Sequence, residues 1–567
     1  MNEKKAAHIL IAFVLGYIPL IVRLHVFSPH LESFDWFYSE PIQSADFFLY
    51  HKSVLIAASG VIMLVWLIVR TVFLKDRDLL KEKLLIPVMV YAAFVLISGI
   101  ASPYRSFAFS GVCEDFETVI VVLSYVVIFI FSYCFIKDES DLSRVLKVSF
   151  PGVAIMHLLA LSQLAGADFF QSGAGKYLLL PAGYLQNADK LSFPFKEHVI
   201  YASLYNSNYV PQYFCFFFFT ALMYAFASKG GKRIAFFVMS CISFICMSGS
   251  RSKSGMVAFF IAGLFLLCAK LSERYGKKKA AVIAIAGMIA AVGTVSVYET
   301  MRSDTDNEEH ALTAIETDDD ELVFFKGDDE LHIRFAISDT GIDYNITDKE
   351  GEKPDVYVSE SRTMVNEGVF EDTVFDYAGE YDGKRFVNIR IEDHDFRFEN
   401  DTDGTYRYLN SAGNTVKMRD VDAVRLFSDS FFSGRGNIWN HALPIIRSCL
   451  FKGLGAGTFG LVYPQDDYIS KEFNNISSVY DFHAHSLYLQ NILGNGLPAL
   501  AAFLFLPVYC FLRFLREGKG NALILAGILA YLIIGLTADS NVCTAPVYWI
   551  FLAICINIDK NNISTSK

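Results

Sequence analysis

The feature that most constrains this chain is a series of apolar runs, each close to the length of helix that crosses a bilayer. A hydrocarbon core of about 30 Å takes roughly 20 apolar residues of helix. Runs of this kind recur at Ala6–Phe27, Val54–Leu74, Leu84–Ser102, Thr118–Ile136, Val148–Ala165 and Tyr209–Ser228. They continue at Ile234–Met247, Met256–Leu271, Ala280–Val297, Ser486–Phe514, Ala522–Thr537 and Val547–Ile558. The pattern predicts a polytopic α-helical membrane protein with about twelve spans. Composition agrees: 53% of the 567 residues are hydrophobic and 19% charged, against about 25% charged in soluble domains. The first run is longer than the apolar core of a signal peptide, and no small-x-small cleavage site follows it. The ten cysteines fall mostly within apolar runs and lack metal-ligand spacing, so they read as small buried hydrophobes.

Charge sets the orientation and locates a second domain. Lys4–Lys5, Lys75–Lys83, Lys137–Lys147, Lys229–Arg233, Arg274–Lys279 and Arg513–Lys519 occupy one set of loops. Basic loops stay on the cytoplasmic side, which predicts a multi-pass protein of the cytoplasmic membrane with both termini inside. The stretch 301–430 holds 34 Asp and Glu against 14 Lys and Arg, a net of −20, and leaves the rest of the chain at +9. With a whole-chain charge of −11, nucleic acid is a poor partner. The expected organisation is membrane domain 1–300, extracytoplasmic acidic insert 301–430, outer-face helical and Gly-rich loop 431–485, and membrane domain 486–567.

Inside the insert the hydrophobic period changes to two. Leu331–Ile337, Val356–Val358, Val387–Ile391, Phe396–Phe398 and Tyr406–Tyr408 alternate, and Asp382-Gly383 and Asp403-Gly404 sit between such runs. This predicts a small antiparallel β domain from about 320 to 420. Its acidity lacks the spacing of a calcium loop and reads as solvated surface.

Charged groups at the membrane edge are costly and therefore candidates for function. Four segments stand out, all in predicted outer loops. Ser248-Gly-Ser-Arg-Ser-Lys-Ser-Gly255 puts two cations and four hydroxyls in a tight turn, suited either to a phosphate or to a headgroup surface. Ser433-Gly-Arg-Gly-Asn-Ile-Trp439 precedes Gly453-Leu-Gly-Ala-Gly-Thr-Phe-Gly460. Arg435 there fits an anion site, a helix cap or a pairing with the acidic insert, and the glycines are no P-loop, because no Gly-Lys-Ser/Thr follows. In Asp481-Phe-His-Ala-His485 the two histidines are two residues apart. On a helix they face apart, so a metal pair is disfavoured; a general base and a capped surface residue both remain open. Asn206 and Asn208 precede a span as sugar hydrogen-bonding groups or as an N-cap.

In this order the segments resemble the O-antigen ligase and O-antigen polymerase superfamily. The resemblance rests on Asn206-Ser-Asn208, Ser250-Arg251, Gly434-Arg435 with Trp439, Gly453-Leu-Gly-Ala-Gly-Thr-Phe459, His485-Ser-Leu-Tyr-Leu489 and Gly494-Asn-Gly-Leu497. It spans about 85–560 and skips the insert. It implies a membrane glycosyltransferase of C-type architecture that moves a glycan from an undecaprenyl-diphosphate carrier to a glycan, lipid or protein acceptor outside the membrane. By motif match Arg251 and Arg435 would engage the diphosphate and His485 would assist the acceptor, with Asn206, Asn208, Lys253 and Arg105 as further substrate contacts. The family's usual His-Asn reads His485-Ser486 here. Two arginines can neutralise a leaving diphosphate without metal, so no cofactor and no metal are expected, although Glu114, Asp115 and Glu117 in one outer loop bear on that point. Two alternatives stand beside the ligase: a repeat-unit polymerase of the same superfamily, and a glycan-lipid transporter with an external β domain. A transporter would place its charges near the midplane in repeated halves, whereas these motifs cluster at one surface and no internal repeat is evident.

Overall fold

The computed structural model describes residues 3–75, 78–275, 312–317, 320–338, 341–359, 362–400, 404–429, 431–518 and 520–558. The expected span Ala280–Val297 lies outside the described residues. In chain order the first helices are α1 (Glu3–Gly16), α2 (Tyr50–Ile68), α3 (Ile86–Ala101), α4 (Arg105–Ser110), α5 (Val119–Phe135) and α6 (Glu139–Leu164). Next come α7 (Gly173–Leu179), α8 (Tyr209–Ala227), α9 (Gly230–Gly249) and α10 (Lys253–Tyr275). After the β domain follow α11 (Phe431–Cys449), α12 (Phe459–Val462), α13 (Tyr468–Phe473), α14 (Leu487–Asn495), α15 (Leu497–Glu517), α16 (Ala522–Ile534) and α17 (Ala545–Asn557).

Seven helices among the described residues are long and apolar enough to cross a membrane: those containing α2, α3, α6, α8, α9, α10 and α15. The apolar helices α5, α16 and α17 are shorter. Two expected spans differ from what forms. The Ala6–Phe27 helix stops at Gly16, because Pro19 has no N–H to continue the ladder; a 3₁₀ turn and the strand His25–Phe27 (β1) follow, and β1 pairs antiparallel with Ser44–Asp46 (β2). The Ser486–Phe514 run is two helices, α14 and α15, hinged at Gly496 with φ +85 and restarted by Pro498.

Small residues let the helices approach closely. A Cβ on Gly152 of α6 would meet the Gly16 carbonyl at 2.1 Å, and one on Gly60 of α2 would meet Ser124 of α5 at 2.5 Å. Among the described residues, the basic loops share one end of the bundle. There Lys4 pairs with the buried Asp141 at 2.7 Å, Tyr133 donates to Glu82 at 2.9 Å and Asn557 donates to the Ile136 carbonyl at 2.8 Å.

The β domain stands at the opposite end. The strands are β3 (Ala314–Thr317), β4 (Leu322–Lys326), β5 (Asp329–Ile337), β6 (Ile342–Asp348), β7 (Val356–Val358), β8 (Arg362–Val365), β9 (Val374–Tyr381), β10 (Lys384–Ile391), β11 (His394–Asn400), β12 (Tyr406–Leu409) and β13 (Thr415–Val416). Two antiparallel sheets share one core, a four-stranded sheet in the order β3-β4-β5-β6 and a seven-stranded sheet β13-β12-β11-β10-β9-β8-β7. They run from Ala314–Thr317 (β3) to Thr415–Val416 (β13). The expected alternation holds in Asp329–Ile337 (β5): Leu331, Ile333 and Phe335 are buried, while Arg334 and Ala336 are exposed. Phe324 of the smaller sheet meets Phe398 of the larger with ring centroids 5.9 Å apart. Asp382-Gly383 makes a turn with both residues left-handed, at φ +50 and +75, between Val374–Tyr381 (β9) and Lys384–Ile391 (β10). Asn410 and Asn414 reach down to donate to the Asp35 carbonyl, each at 3.0 Å. Tyr468 and Ile469 of α13 complete the underside of the β core.

Candidate active site

Between the helix bundle and the β domain, two loop segments and the helix α11 are fastened to one another by hydrogen bonds. Leu487 N–H, at the head of α14, donates to the Gly535 and Ala538 carbonyls at 2.8 and 2.9 Å. Ser540 N–H donates to Gln490 at 2.9 Å. Gln212 of α8 donates to the Asp539 carbonyl at 3.2 Å. Trp439 of α11 donates from its indole to the Ala484 carbonyl, between the two histidines, at 3.0 Å. The residues of the 481–485 segment, the 535–544 loop and α11 therefore hold fixed positions.

This frame sets His485 Nδ1 3.0 Å from Asp539 Oδ2. His485 has a left-handed backbone, φ +48, and a side chain 30% exposed, whereas Asp539 is 1% exposed. With Nδ1–H donating to the carboxylate, Nε2 carries the lone pair, the arrangement of an oriented general base. Burial works to raise the Asp539 pKa, but the charges of His485, His483 and Arg435 outweigh it and hold Asp539 below the usual carboxylate range. Arg435 is held at the head of α11 by donating Nη1 to the Phe432 carbonyl at 2.7 Å. Burial lowers its pKa, opposed by the Asp539 charge and Tyr209, and its Nε has no hydrogen-bond partner among the described residues.

The neighbouring carboxyls are buried too. Asp115 is 3% and Glu117 6% exposed. Burial, then the Asp115 charge, pushes the Glu117 pKa up to about 8, although Ser540 and Tyr125 both donate to its Oε1, at 2.7 and 2.8 Å. Glu117 is thus mainly an uncharged acid at neutral pH. His483 donates from Nε2 to the Glu114 carbonyl at 3.1 Å. Among the described residues, no group of three or more His, Cys, Asp or Glu is arranged to hold a metal ion.

The glycine-rich loop is a fastening in this structure. Leu454 and Gly455 N–H donate to the Leu493 and Gly494 carbonyls at 2.8 and 2.9 Å. A Cβ on Gly453 would lie 2.3 Å from the Gly494 carbonyl oxygen. The loop locks the α14–α15 hinge and carries Gly457 past the Glu117 carbonyl.

The remaining candidates sit to one side. Ser252 donates to Asn208 Oδ1 at 2.8 Å, which ties the 250–255 turn to the entry of α8. Asn206 Oδ1 accepts from the Asn208 N–H at 2.9 Å, and Asn208 makes no side-chain cap of α8. Arg251, with φ +55, is exposed in that turn, as is Lys253 at the head of α10. Arg105 is exposed at the head of α4. Neither Arg251 nor Arg105 makes a hydrogen bond or ion pair with the Arg435–Asp539–His485 group. Sequence reasoning did not single out Asp539. Its signal was present: a carboxylate alone in the short loop between α16 and α17, where an unpaired charge is costly.

A cleft of about 1500 Å³ opens on the far side of α11, between it and the β domain. His441 and Asn437 of α11, Asp467, Asp422 and Glu316 are among the residues that line it. Neither Arg435 nor His485 lines this cleft. No protein-family profile, characterised protein or solved structure matches the chain.

Proposed function

We propose that the chain is a membrane glycosyltransferase that moves a glycan from an undecaprenyl-diphosphate carrier to an acceptor hydroxyl at the outer face of the cytoplasmic membrane. The observation that carries this reading is the Asp539–His485 pair beside Arg435, fixed between apolar helices and an acidic β domain. His485 Nε2 takes the proton of the acceptor hydroxyl. The acceptor oxygen forms the new bond to the anomeric carbon, and the carbon–oxygen bond to the diphosphate breaks. The electron pair leaves on the diphosphate, whose charge Arg435 offsets; Arg251 and Lys253, on the neighbouring turn, draw the anionic donor toward the site. Asp539 keeps the imidazole in its working tautomer and stabilises the imidazolium that forms. Ligase and repeat-unit polymerase share this step and differ in the acceptor.

The test uses the purified full chain with undecaprenyl-diphosphate glycan and counts released undecaprenyl diphosphate. Arg435→Lys keeps the charge and loses the planar fork, so turnover falls about a hundredfold. Near-wild-type turnover in that variant would remove Arg435 from the donor site.

A further inference from the structure

Beside the His485–Asp539 pair lie three polar atoms with no hydrogen-bond partner among the described residues: Asp115 Oδ2, Asp539 Oδ1 and His483 Nδ1. Their side chains are each more than nine-tenths buried, at 3%, 1% and 8% exposed. Native interiors rarely leave such atoms without partners. The three belong to one group: the His483 ring centroid is 6.2 Å from that of His485, and His483 feels the charges of both Asp539 and Asp115. They arise from three separate segments, and the fastenings described above set all three.

We propose that these atoms form the acceptor subsite, built for a sugar ring that presents two adjacent hydroxyls. This inference rests on the glycosyl-transfer reading. Asp539 uses one oxygen to orient His485, so a hydroxyl bound by its other oxygen lies next to the base. That hydroxyl is the nucleophile: its single proton turns from Asp539 Oδ1 to His485 Nε2, and its oxygen bonds to the anomeric carbon as the diphosphate departs. The adjacent hydroxyl bonds to Asp115 Oδ2, and His483 Nδ1 completes the cradle. Charge selects the class of acceptor. Asp539, held below the usual carboxylate range, keeps a negative charge in the group and disfavours a phosphorylated or carboxylated acceptor. An ammonium is disfavoured beside His483, because burial opposes that ring's charged form but Asp539, Asp115 and Glu114 outweigh burial and raise its pKa, which favours the cation. What remains is a neutral diol. A side-chain hydroxyl of a protein acceptor would satisfy one of the two carboxylates and leave the other unpaired.

The test titrates envelope glycan, purified from a strain lacking this chain, against the full-length protein and undecaprenyl-diphosphate glycan. One portion of the glycan is first oxidised with periodate and reduced, which cleaves adjacent hydroxyl pairs. The inference predicts that oxidised glycan no longer accepts. It also predicts that Asp115→Asn and His483→Gln each raise the acceptor KM about tenfold or more while the donor KM stays within twofold. Donor cleavage by water should persist in both variants. If oxidised glycan accepts as well as intact glycan, or both variants keep the wild-type acceptor KM, the subsite is wrong while glycosyl transfer stands. If the wild-type chain never consumes the donor, the underlying reading fails instead. The periodate arm uses wild-type protein only, so a misfolded variant does not spoil the test.

Discussion

His485 and Asp539 gain their chemistry from each other. Asp539→Asn should keep the fold but lose the charge that stabilises imidazolium, lowering turnover by about 10²- to 10⁴-fold. Combined with His485→Ala it should cost little more than either change alone, because the two act as one unit. A double-mutant cycle of single-turnover rates checks this; full additivity would show two independent roles. Burial also makes a stability prediction. The pKa of His441 is raised, because its 2.7 Å bond to Asp467 and that residue's charge outweigh burial. The pKa of Glu117 is raised to about 8 by burial and Asp115. A group whose pKa is higher in the folded state stabilises at low pH and loses that contribution as pH rises through the folded value. Melting temperature should therefore fall as pH rises from about 4.5, the ordinary carboxyl value, to about 8, the folded value of Glu117, and the fall should be shallower in Glu117→Gln and in His441→Gln. Unchanged slopes in both variants would contradict these assignments. At this scale the sequence was half legible. Arg435 and His485 stood out because cations and imidazoles are scarce in apolar surroundings. Asp539 showed only as a lone carboxylate in a short loop between apolar runs; its partner lies 54 residues away, and no local pattern reports a contact that only the helix bundle makes.

Among the elements, the glycine-rich loop gives the sharpest contrast. Gly455 has φ +108, and a Cβ there would meet Ser102 Oγ at 2.9 Å and Ala108 Cβ at 3.1 Å. Gly383, in the β9–β10 turn, has φ +75 with nothing within 4 Å of its Cβ. Gly455→Ala should combine backbone strain with a collision and destabilise by about 3 kcal/mol; Gly383→Ala carries strain alone, about 1 kcal/mol. Thermal unfolding of the two variants in one detergent checks the order, and equal losses would contradict the fastening role of the 453–457 loop. The strands were readable because half-buried strands alternate, and Asp382-Gly383 was readable as a turn. The companion turn at Glu392-Asp393 was not: both residues are left-handed, at φ +50 and +62, without a glycine to announce them. Apolar length likewise overstated two helices, since Pro19 and the Gly496-Leu-Pro498 sequence break the ladder inside runs that remain apolar throughout.

For the molecule as a whole, the described basic loops gather at one end of the helices and the β domain at the other. The proposed topology puts the β domain outside the cell membrane. Ser411 is exposed in that domain. Ser411→Cys should react with an impermeant maleimide on intact cells, above the background of the native chain. Labelling only after lysis would reverse the topology and place the candidate site in the cytoplasm. The acidic β domain, the apolar helices and the fixed group between them bear on the proposed function, transfer of a glycan from a diphosphate lipid. The direct measurement supplies purified chain with undecaprenyl-diphosphate glycan and envelope-glycan acceptor, with and without EDTA, for wild type, Arg435→Lys and His485→Ala. Wild type should transfer glycan at the same rate in EDTA, and each variant should be slower by about a hundredfold. Near-wild-type transfer by both variants, or no transfer by the wild type, would contradict the account.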